Sequence, residues 1–322
     1  MRTYWLMTAI LGLLLAAGGV HAQQSYPTKP IRLIVPFATS GPADIVARIL
    51  APKLVESFGV PVVVDNRPGA AGTLGAEIAV RAAPDGYTIM IVSSATYSGS
   101  AALYKLPYDP VNDVTPIAVI GEAGLMVTLH PSVPVTSVKE LIAYVQANPG
   151  KFSYGSGGIG SSIHLATELF NQMAGTNITH MPYQSAGIAL NGVLGGQSQL
   201  IISGMLQLMP HVRSKRLRGI AVTAAKRSNV VPEIPTVGET VLGYEAVNSY
   251  GVMGPKALPK DIVVRWNREI NRIVKLPDVK EQMAGDGMEP IDGSPEHFRE
   301  VLKRDVAKWQ KVVKIAGIKA GS

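Results

Sequence analysis

The chain has 322 residues, no cysteine and a formal net charge of +7, and 47% of its residues are hydrophobic. The lack of cysteine excludes disulfide bonds, thiolate metal sites and a lipid-modified N-terminal cysteine. A chain of this length exceeds what one hydrophobic core usually serves, so we expect two domains. The modest positive charge is suited to steering small anions into a cleft.

The N-terminal segment, residues 1–22, is predicted to be a signal peptide. Arg2 precedes an apolar stretch at 6–17, and the small residues Val20 and Ala22 occupy the −3 and −1 places of a signal-peptidase site. Cleavage after Ala22 leaves 322 − 22 = 300 residues with a net charge of +7 − 1 = +6, because Arg2 is lost. The apolar run is shorter than the roughly 18 residues of a spanning helix. The sequence therefore predicts an exported protein of the bacterial periplasm, anchored neither by a helix nor by lipid.

Strands and helices alternate in the first part of the chain. Apolar runs predict strands at 31–36, 60–66 and 88–93. Pro42, with Asp44 two residues later, predicts the start of one helix, and a second is predicted at 72–82. Strands that alternate with helices indicate a parallel sheet covered on both faces.

A second alternating series follows Pro131 and begins with Ser137 and Glu140, which have the spacing of a capping box. The later strands are predicted at 152–155, 178–181, 199–203 and 217–223, and the later helices at 163–173, 186–194, 205–213 and 262–274, with a final helix from Ser294 to Gly317. Two long apolar stretches, 117–129 and 244–253, are predicted to be extended crossovers that join two α/β lobes. We place lobe 1 at 23–122 and 248–322, and lobe 2 at 123–247.

Residues 155–162 read Gly-Ser-Gly-Gly-Ile-Gly-Ser-Ser and lie between a predicted strand and a predicted helix. Gly155, Gly157 and Gly160 match a dinucleotide fingerprint, which also needs an acidic residue about 20 positions later to hold a ribose hydroxyl. The next strand has none, so the dinucleotide interpretation fails. What remains is a helix N-terminus with free N–H groups and hydroxyls, suited to a carboxylate or a phosphate. The alternative is a plain strand-to-helix turn with Ser161 as the N-cap.

The segment 37–44 repeats this arrangement in the first half of the chain. Ligands of open α/β sheets bind outside the carboxyl ends of the strands, so two facing lobes would aim both helix N-termini at one small anion. Neither loop contains lysine or arginine. The sequence shows no metal-ligand spacing, Walker loop or nucleophile elbow, so we predict no metal, no cofactor and no enzyme activity. The basic stretch at 213–218 lacks interleaved aromatic residues, so we expect a solvated helix end and no nucleic acid partner.

Several strings resemble those of the periplasmic solute receptors of tripartite tricarboxylate transporters, the Bug family. They extend from Tyr26 to Lys319 and include Tyr26-Pro-Thr-Lys-Pro-Ile-Arg-Leu-Ile-Val-Pro-Phe37, Pro42-Ala-Asp44, Asp65-Asn-Arg-Pro-Gly69, Ala83-Pro-Asp-Gly-Tyr87, Leu103-Tyr-Lys-Leu-Pro-Tyr-Asp-Pro110, Gly160-Ser-Ser-Ile-His-Leu165, Leu194-Gly-Gly-Gln197 and Ala221-Val-Thr-Ala-Ala-Lys-Arg227. The resemblance implies a hinged two-lobed fold like that of periplasmic binding proteins, in which each lobe is a mainly parallel sheet flanked by helices and two crossover strands join the lobes. It also implies that the protein captures a small organic carboxylate and delivers it to a membrane permease, as a monomer.

The resemblance also implies which residues contact the ligand. They are Phe37, Ala38, Thr39, Ser40, Gly41, Asp44, Ser94 and Thr96 in lobe 1, and Ser156, Gly157, Gly158, Ser161, His164, Ser185, Ala186 and Ser203 in lobe 2. Alternatives stay open for three of them: Asp44 as a helix cap, His164 as a satisfied histidine at a helix start, and Phe37 as a core residue.

Departures from the family pattern bear on the ligand. Thr39-Ser40-Gly41 stands where Pro-Gly-Gly is usual, and Gln184 stands where lysine or arginine is common. Ser203 stands where aspartate is common, and Ile188 where proline is. We therefore expect a mono- or dicarboxylate that has no ammonium group and has an aliphatic or aromatic body. Two other functions stay open: a receptor that presents its ligand to a membrane sensor kinase, and a periplasmic α/β enzyme.

Overall fold

A computed structural model describes residues 26–285 and 287–320, so the predicted signal peptide lies outside the described residues. In chain order the elements are β1 Ile31–Val35, α1 Pro42–Phe58, β2 Val62–Asn66, α2 Thr73–Val80, β3 Thr88–Ser93, α3 Ser94–Leu103, β4 Val114–Leu129, α4 Val138–Ala147, β5 Ser153–Ser156, α5 Ser162–Ala174, β6 Thr179–Pro182, α6 Ala186–Leu194, β7 Leu200–Gly204, α7 Met205–Arg213, β8 Arg218–Val222, β9 Val247–Pro255, α8 Lys260–Ile273, α9 Pro277–Ala284, β10 Met288–Pro290 and α10 Pro295–Ala316. Short 3₁₀ turns form at Ala70–Gly72 and Val237–Glu239. None of the described helices is long and apolar enough to cross a bilayer.

The strands follow the order β2-β1-β3-β9-β4-β7-β5-β6, with β8 and β10 paired to β4 beside that path. Strands β1, β2 and β3 are parallel and form the first lobe with their helices. Strands β5, β6 and β7 are also parallel and form the second lobe, together with β8. The alternation of strands and helices thus predicted the class of both sheets.

The two predicted crossovers are the antiparallel strands β4 and β9. Their pairing begins with Val114 opposite Pro255 and ends with Gly124 opposite Val247. The far end of β4 continues into the second lobe, where Leu125 pairs with Gly204 of β7. One strand of sixteen residues therefore belongs to both lobes. Its length explains why the apolar stretch at 117–129 is longer than a strand of a single sheet requires.

The last helix, α10, packs into the cores of both lobes. Phe298 and Leu302 lie in a first-lobe cluster with Met90 of β3, whereas Trp309 and Val312 lie in the second-lobe core. The predicted lobe boundaries place α10 entirely in lobe 1, but only its N-terminal half packs there. Because a helix of 22 residues is about 33 Å long, it is long enough to reach both cores.

Local capping signals predicted several helix starts. The hydroxyls of Ser161, Ser185 and Ser294 each accept the backbone N–H three residues later, at 3.1–3.3 Å. Ser137 does the same for Glu140, whose carboxylate accepts the N–H of Thr136 rather than that of Ser137. The serine half of the predicted capping box is therefore present, whereas the Glu140 half binds the residue before the N-cap.

Candidate ligand-binding cleft

A cavity of about 460 Å³ lies between the two lobes. Residues at the N-termini of four helices line it: Gly41, Pro42 and Ala43 of α1; Ser93 and Thr96 of α3; Ser161, Ser162 and Ile163 of α5; and Ser185, Ala186 and Gly187 of α6. The first backbone N–H groups of a helix have no partner within the helix, and the helix dipole places partial positive charge there. The arrangement therefore favours an anion in the cavity.

The cavity wall carries no formal charge. Among the described lining residues there is no Asp, Glu, Lys, Arg or His. The attraction for an anion therefore arises from backbone dipoles and hydroxyl groups, since neither loop supplies a lysine or an arginine. The same residue set has no carboxylate or imidazole for a metal ion, and no group of three or more His, Asp or Glu in the described chain could hold one.

Hydrogen bonds with Asp44 and Asn66, which do not line the cavity, fix the first-lobe loop, residues 37–41. The Asp44 carboxylate accepts the Ser40 N–H at 2.8 Å and the Asn66 side-chain amide at 2.9 Å. The same amide donates to the Phe37 carbonyl at 3.1 Å. Burial favours the neutral form of Asp44, but hydrogen bonds from Arg48, Ser40 and Asn66 outweigh it and hold the pKa of Asp44 below its ordinary value. Asp44 thus fixes the loop while the residue is only 2% exposed.

The second-lobe loop, residues 156–161, approaches the start of α6 very closely. A Cβ atom on Gly157 would lie 2.9 Å from the backbone nitrogen of Ala186, which leaves no room for a side chain. Gly160 has a φ of +81°, a conformation that favours glycine. The glycines of this loop therefore serve close packing and turn geometry at the cleft.

The floor of the cleft is a polar chain that spans both lobes. The Ser162 N–H donates to the Thr96 hydroxyl at 3.1 Å, and Asn248 of β9 donates to the Ser162 hydroxyl at 3.4 Å. The Ser93 hydroxyl donates to the side-chain oxygen, Oδ1, of Asn248 at 3.2 Å. Asn248 is 1% exposed. It joins a crossover strand to the first turns of α3 and α5.

The walls are largely apolar, with Phe37, Tyr104, Ile159 and Tyr183 among the lining residues. The segment Pro68–Gly72 forms a further part of the wall that the sequence analysis did not assign to the site. Tyr183 directs its hydroxyl to the side-chain oxygen of Gln197 at 3.5 Å. These surfaces suit the carbon skeleton of a ligand.

Ten of the sixteen residues predicted for the site line the cavity. They are Phe37, Ala38, Thr39, Gly41, Thr96, Gly157, Gly158, Ser161, Ser185 and Ala186. Phe37 also packs against the first-lobe core.

The other six predicted residues lie outside the lining: Ser40, Asp44, Ser94, Ser156, His164 and Ser203. Ser94 is buried and donates to Asp305 of α10, and Ser203 is buried and donates to Gln207. Ser40, Asp44, Ser156 and His164 form hydrogen bonds within or directly behind the two loops. Their positions in the sequence are next to the cleft, but their side chains do not line it.

Tyr104, Ser162, Gln184, Asn248 and the segment Pro68–Gly72 line the cavity without having been predicted as ligand contacts. Ser162 and Gln184 had a local signal, because they adjoin residues that were predicted. Asn248 had none, since it lies in a predicted crossover 86 residues from Ser162. Only the pairing of β9 with β3 and β4 brings Asn248 to the cleft.

The fold and the cleft together define a two-lobed solute-binding protein with a cavity between lobes that long antiparallel strands join. Residues 46–318 match the family described as "Tripartite tricarboxylate transporter family receptor". The chain belongs to this family, as the strings of its sequence predicted.

Similar proteins cover nearly the whole chain. Protein BugT of Bordetella pertussis is 36% identical over 97% of this chain and 98% of its own length. A Rhodopseudomonas palustris protein solved with adipate is 34% identical, with a TM-score of 0.86 over 91% of this chain and 99% of that one. MatC from Rhodopseudomonas palustris, solved with bound malate, is 27% identical, with a TM-score of 0.83 over 89% of this chain and 100% of that one. The predicted fold class is confirmed by these likenesses.

Proposed function

We propose that the chain is a receptor that binds a small organic carboxylate in the 460 Å³ cavity and delivers it to the membrane permease of a tripartite tricarboxylate transporter. The observation that carries the proposal is the convergence of four helix N-termini on one cavity without charged side chains. Membership of the receptor family supports the transport role. The relatives solved with adipate and malate support a carboxylate as the ligand.

The ligand carries no ammonium group in this proposal. A buried charge is costly unless it is paired, and the described lining offers no carboxylate to pair with a cation. The N–H groups and hydroxyls at the helix starts compensate a carboxylate, and each such hydrogen bond contributes about 1.5–3 kcal/mol. The apolar walls at Tyr104, Ile159 and Tyr183 accommodate an aliphatic or aromatic body.

The proposed contacts are Thr39, Thr96, Ser161 and Ser185, with the backbone N–H groups of neighbouring lining residues. The protein acts as a monomer in the periplasm after removal of residues 1–22, and releases its ligand unchanged. The predicted leader supports this location, and the lack of charged groups in the cavity wall supports binding rather than catalysis.

Glutarate and glutamate provide a matched pair of probes, because they have the same two carboxylates and differ by one ammonium group. We expect isothermal titration to show at least tenfold tighter binding of glutarate than of glutamate. Equal or tighter binding of glutamate would contradict the proposed ligand class. Mass spectrometry of adipate, malate and glutarate after incubation should recover each acid unaltered, and a product would argue for an enzyme.

Ser161→Ala tests the contact, and Ser294→Ala is its matched control. Both serines cap a helix by accepting the N–H three residues later, at 3.3 and 3.1 Å, but Ser294 lies outside the cavity lining. Loss of either cap should lower the free energy of unfolding by about 1 kcal/mol. Only Ser161→Ala should also weaken glutarate binding. If both variants bind glutarate as the wild type does, Ser161 is not a contact.

A further inference from the structure

Three aromatic rings form a continuous stack directly behind the second-lobe loop. The rings of Tyr154 and His180 lie with centroids 4.9 Å apart and planes inclined by 21°. His180 stacks in turn on His164, at 4.0 Å and 9°. The three residues come from β5, β6 and α5, and Tyr154 and His164 are buried. The stack therefore joins β5, from which the loop at 156–161 departs, and α5, to which it returns, to the neighbouring strand β6.

Two side chains connect this stack to the backbone of the loop. The Ser156 hydroxyl is 2.6 Å from Nε2 of His180 and accepts the N–H of Gly158 at 3.2 Å. Nδ1 of His164 accepts the N–H of Gly160 at 3.0 Å. Two alternate N–H groups of the loop are thus directed toward the stack. Within the described chain no hydrogen bond occupies the N–H groups of Gly157 and Ile159, and both residues line the cavity.

We propose that Ser156, His164 and His180 are positioning residues, which hold the 156–161 loop in the shape that presents its remaining N–H groups to the ligand carboxylate. This role rests on the proposed function of the cleft. It differs from direct contact, because none of the three side chains lines the cavity. The His164 ring acts as a fixed acceptor and the His180 ring holds the Ser156 hydroxyl, and stacking sets the orientation of both rings.

The positioning role requires the His164 imidazole to be neutral. Nδ1 of His164 can accept the Gly160 N–H only without a proton, and two charged rings at 4.0 Å would repel each other. Burial, with a smaller effect of His180, lowers the pKa of His164 to about 3, and burial lowers that of His180 to about 4. The acidic neighbour of the stack is Glu168 of α5, which accepts the Tyr154 hydroxyl at 2.7 Å and whose pKa is raised by burial. The neutral state therefore persists throughout the physiological pH range.

Two substitutions of His164 separate positioning from packing. His164→Phe keeps an aromatic ring in the stack and removes the acceptor for Gly160. His164→Asn loses the ring but can place its amide oxygen near the position of Nδ1. We expect His164→Phe to weaken adipate binding at least tenfold, with His164→Asn restoring most of that loss. The amide exchange of Gly160, measured by NMR without ligand, should accelerate in the Phe variant and return toward the wild-type rate in the Asn variant.

Tyr244→Phe is the matched control for loss of a buried polar atom in the same lobe. The Tyr244 hydroxyl donates to the Ala166 carbonyl at 2.9 Å, and Tyr244 does not line the cavity. This variant should lose stability and keep its affinity for adipate. Equal adipate affinity and equal Gly160 exchange in His164→Phe and wild type would overturn the positioning role. If the wild type binds none of adipate, malate and glutarate, the proposed function fails, and Gly160 exchange still decides whether the imidazole holds the loop.

Discussion

The backbone N–H of Ser162 donates to the hydroxyl of Thr96 at 3.1 Å, which joins the first turn of α5 in the second lobe to α3 in the first. Both residues are buried and both line the cavity. The hydrogen bond therefore ties the two walls of the cleft together at its floor.

Thr96→Val tests this link, because it replaces the hydroxyl by a methyl group of similar size. We expect the variant to bind glutarate about tenfold more weakly. We also expect the free energy of unfolding to fall by about 1–3 kcal/mol, since the Ser162 N–H is left buried and unpaired. Thr96→Ser keeps the hydroxyl and should preserve most of the affinity. Titration calorimetry and denaturant unfolding measure both effects, and equal affinities of the Val and Ser variants would exclude a role for the hydroxyl.

Two buried serines of α3 should respond differently to alanine. The Ser94 hydroxyl donates to the Asp305 carboxylate at 2.5 Å, whereas the Ser98 hydroxyl has no partner in the described chain. Both side chains are fully buried. Ser94→Ala removes a donor from a buried carboxylate and should lower the free energy of unfolding by about 1–3 kcal/mol. Ser98→Ala removes an unpaired hydroxyl and should be neutral or stabilising. Urea denaturation of both variants measures the two changes in the free energy of unfolding. Equal losses would contradict the different hydrogen-bonding states of the two serines.

The elements with a strong local pattern were predicted almost to the residue. β3 at Thr88–Ser93 and α6 at Ala186–Leu194 have the predicted bounds, because an apolar run and a serine cap define them locally. Helix α3 was missed, since Ser94, Ser98 and Ser100 are buried on it and leave no apolar stripe at helical spacing. Strand β10 was missed because it has three residues and exists only through its pairing with β4.

The residues of the cleft also differ in whether the nearby sequence or a distant part of the chain determines their position. The loops at 37–41 and 156–161 carry glycines, Pro42 follows the first loop and Ser161 caps the helix after the second, so the sequence indicated both helix starts. The floor depends on Asn248, which the topology brings from a distant strand. The buried role of Ser94 depends on Asp305, 211 residues away, and no pattern near Ser94 revealed this partner. The partner of Ser203 is local, because Gln207 follows it by four residues.

Ser40 is expected to be a site where glycine stabilises the protein. Its φ is +62°, in the left-handed region that favours glycine. The left-handed conformation costs a residue with a side chain about 1–2 kcal/mol, and glycine avoids this cost. Glycine also makes the unfolded chain more flexible, which offsets part of the gain in stability. Ser40→Gly should therefore raise the free energy of unfolding by about 0.5–1 kcal/mol, measured by thermal or urea denaturation.

Two further substitutions of Ser40 identify the cause. Ser40→Ala keeps the strained conformation and should be close to wild type, because the Ser40 hydroxyl forms no hydrogen bond in the described chain. Ser40→Pro cannot reach a positive φ and lacks the N–H that binds Asp44 at 2.8 Å, so it should destabilise the fold. An equal gain from the Ala and Gly variants would show that the side chain, and not the backbone conformation, sets the stability.

Acid should weaken the fold through the two stacked histidines. Their pKa values are lowered by burial to about 3 for His164 and about 4 for His180, against about 6.5 in an unfolded chain. Between these values the unfolded chain binds more protons than the folded one. The contribution of the two histidines to the free energy of unfolding is therefore fully present above about pH 6.5 and decreases as the pH falls toward 4. Glu168 acts in the opposite sense near pH 4.5, because burial raises its pKa and its protonated form is favoured in the fold.

His164→Phe should flatten this decrease, since it removes one of the two linked protons. The slope of the free energy of unfolding between pH 6 and 5 should fall by up to about 1.4 kcal/mol per pH unit, the limit for one proton. Urea denaturation of both proteins across this range measures the slope, and His297→Phe provides a control at a histidine outside the stack. If the His164→Phe slope equals that of the wild type, His164 is protonated in the folded protein in this range, and it cannot then accept the Gly160 N–H.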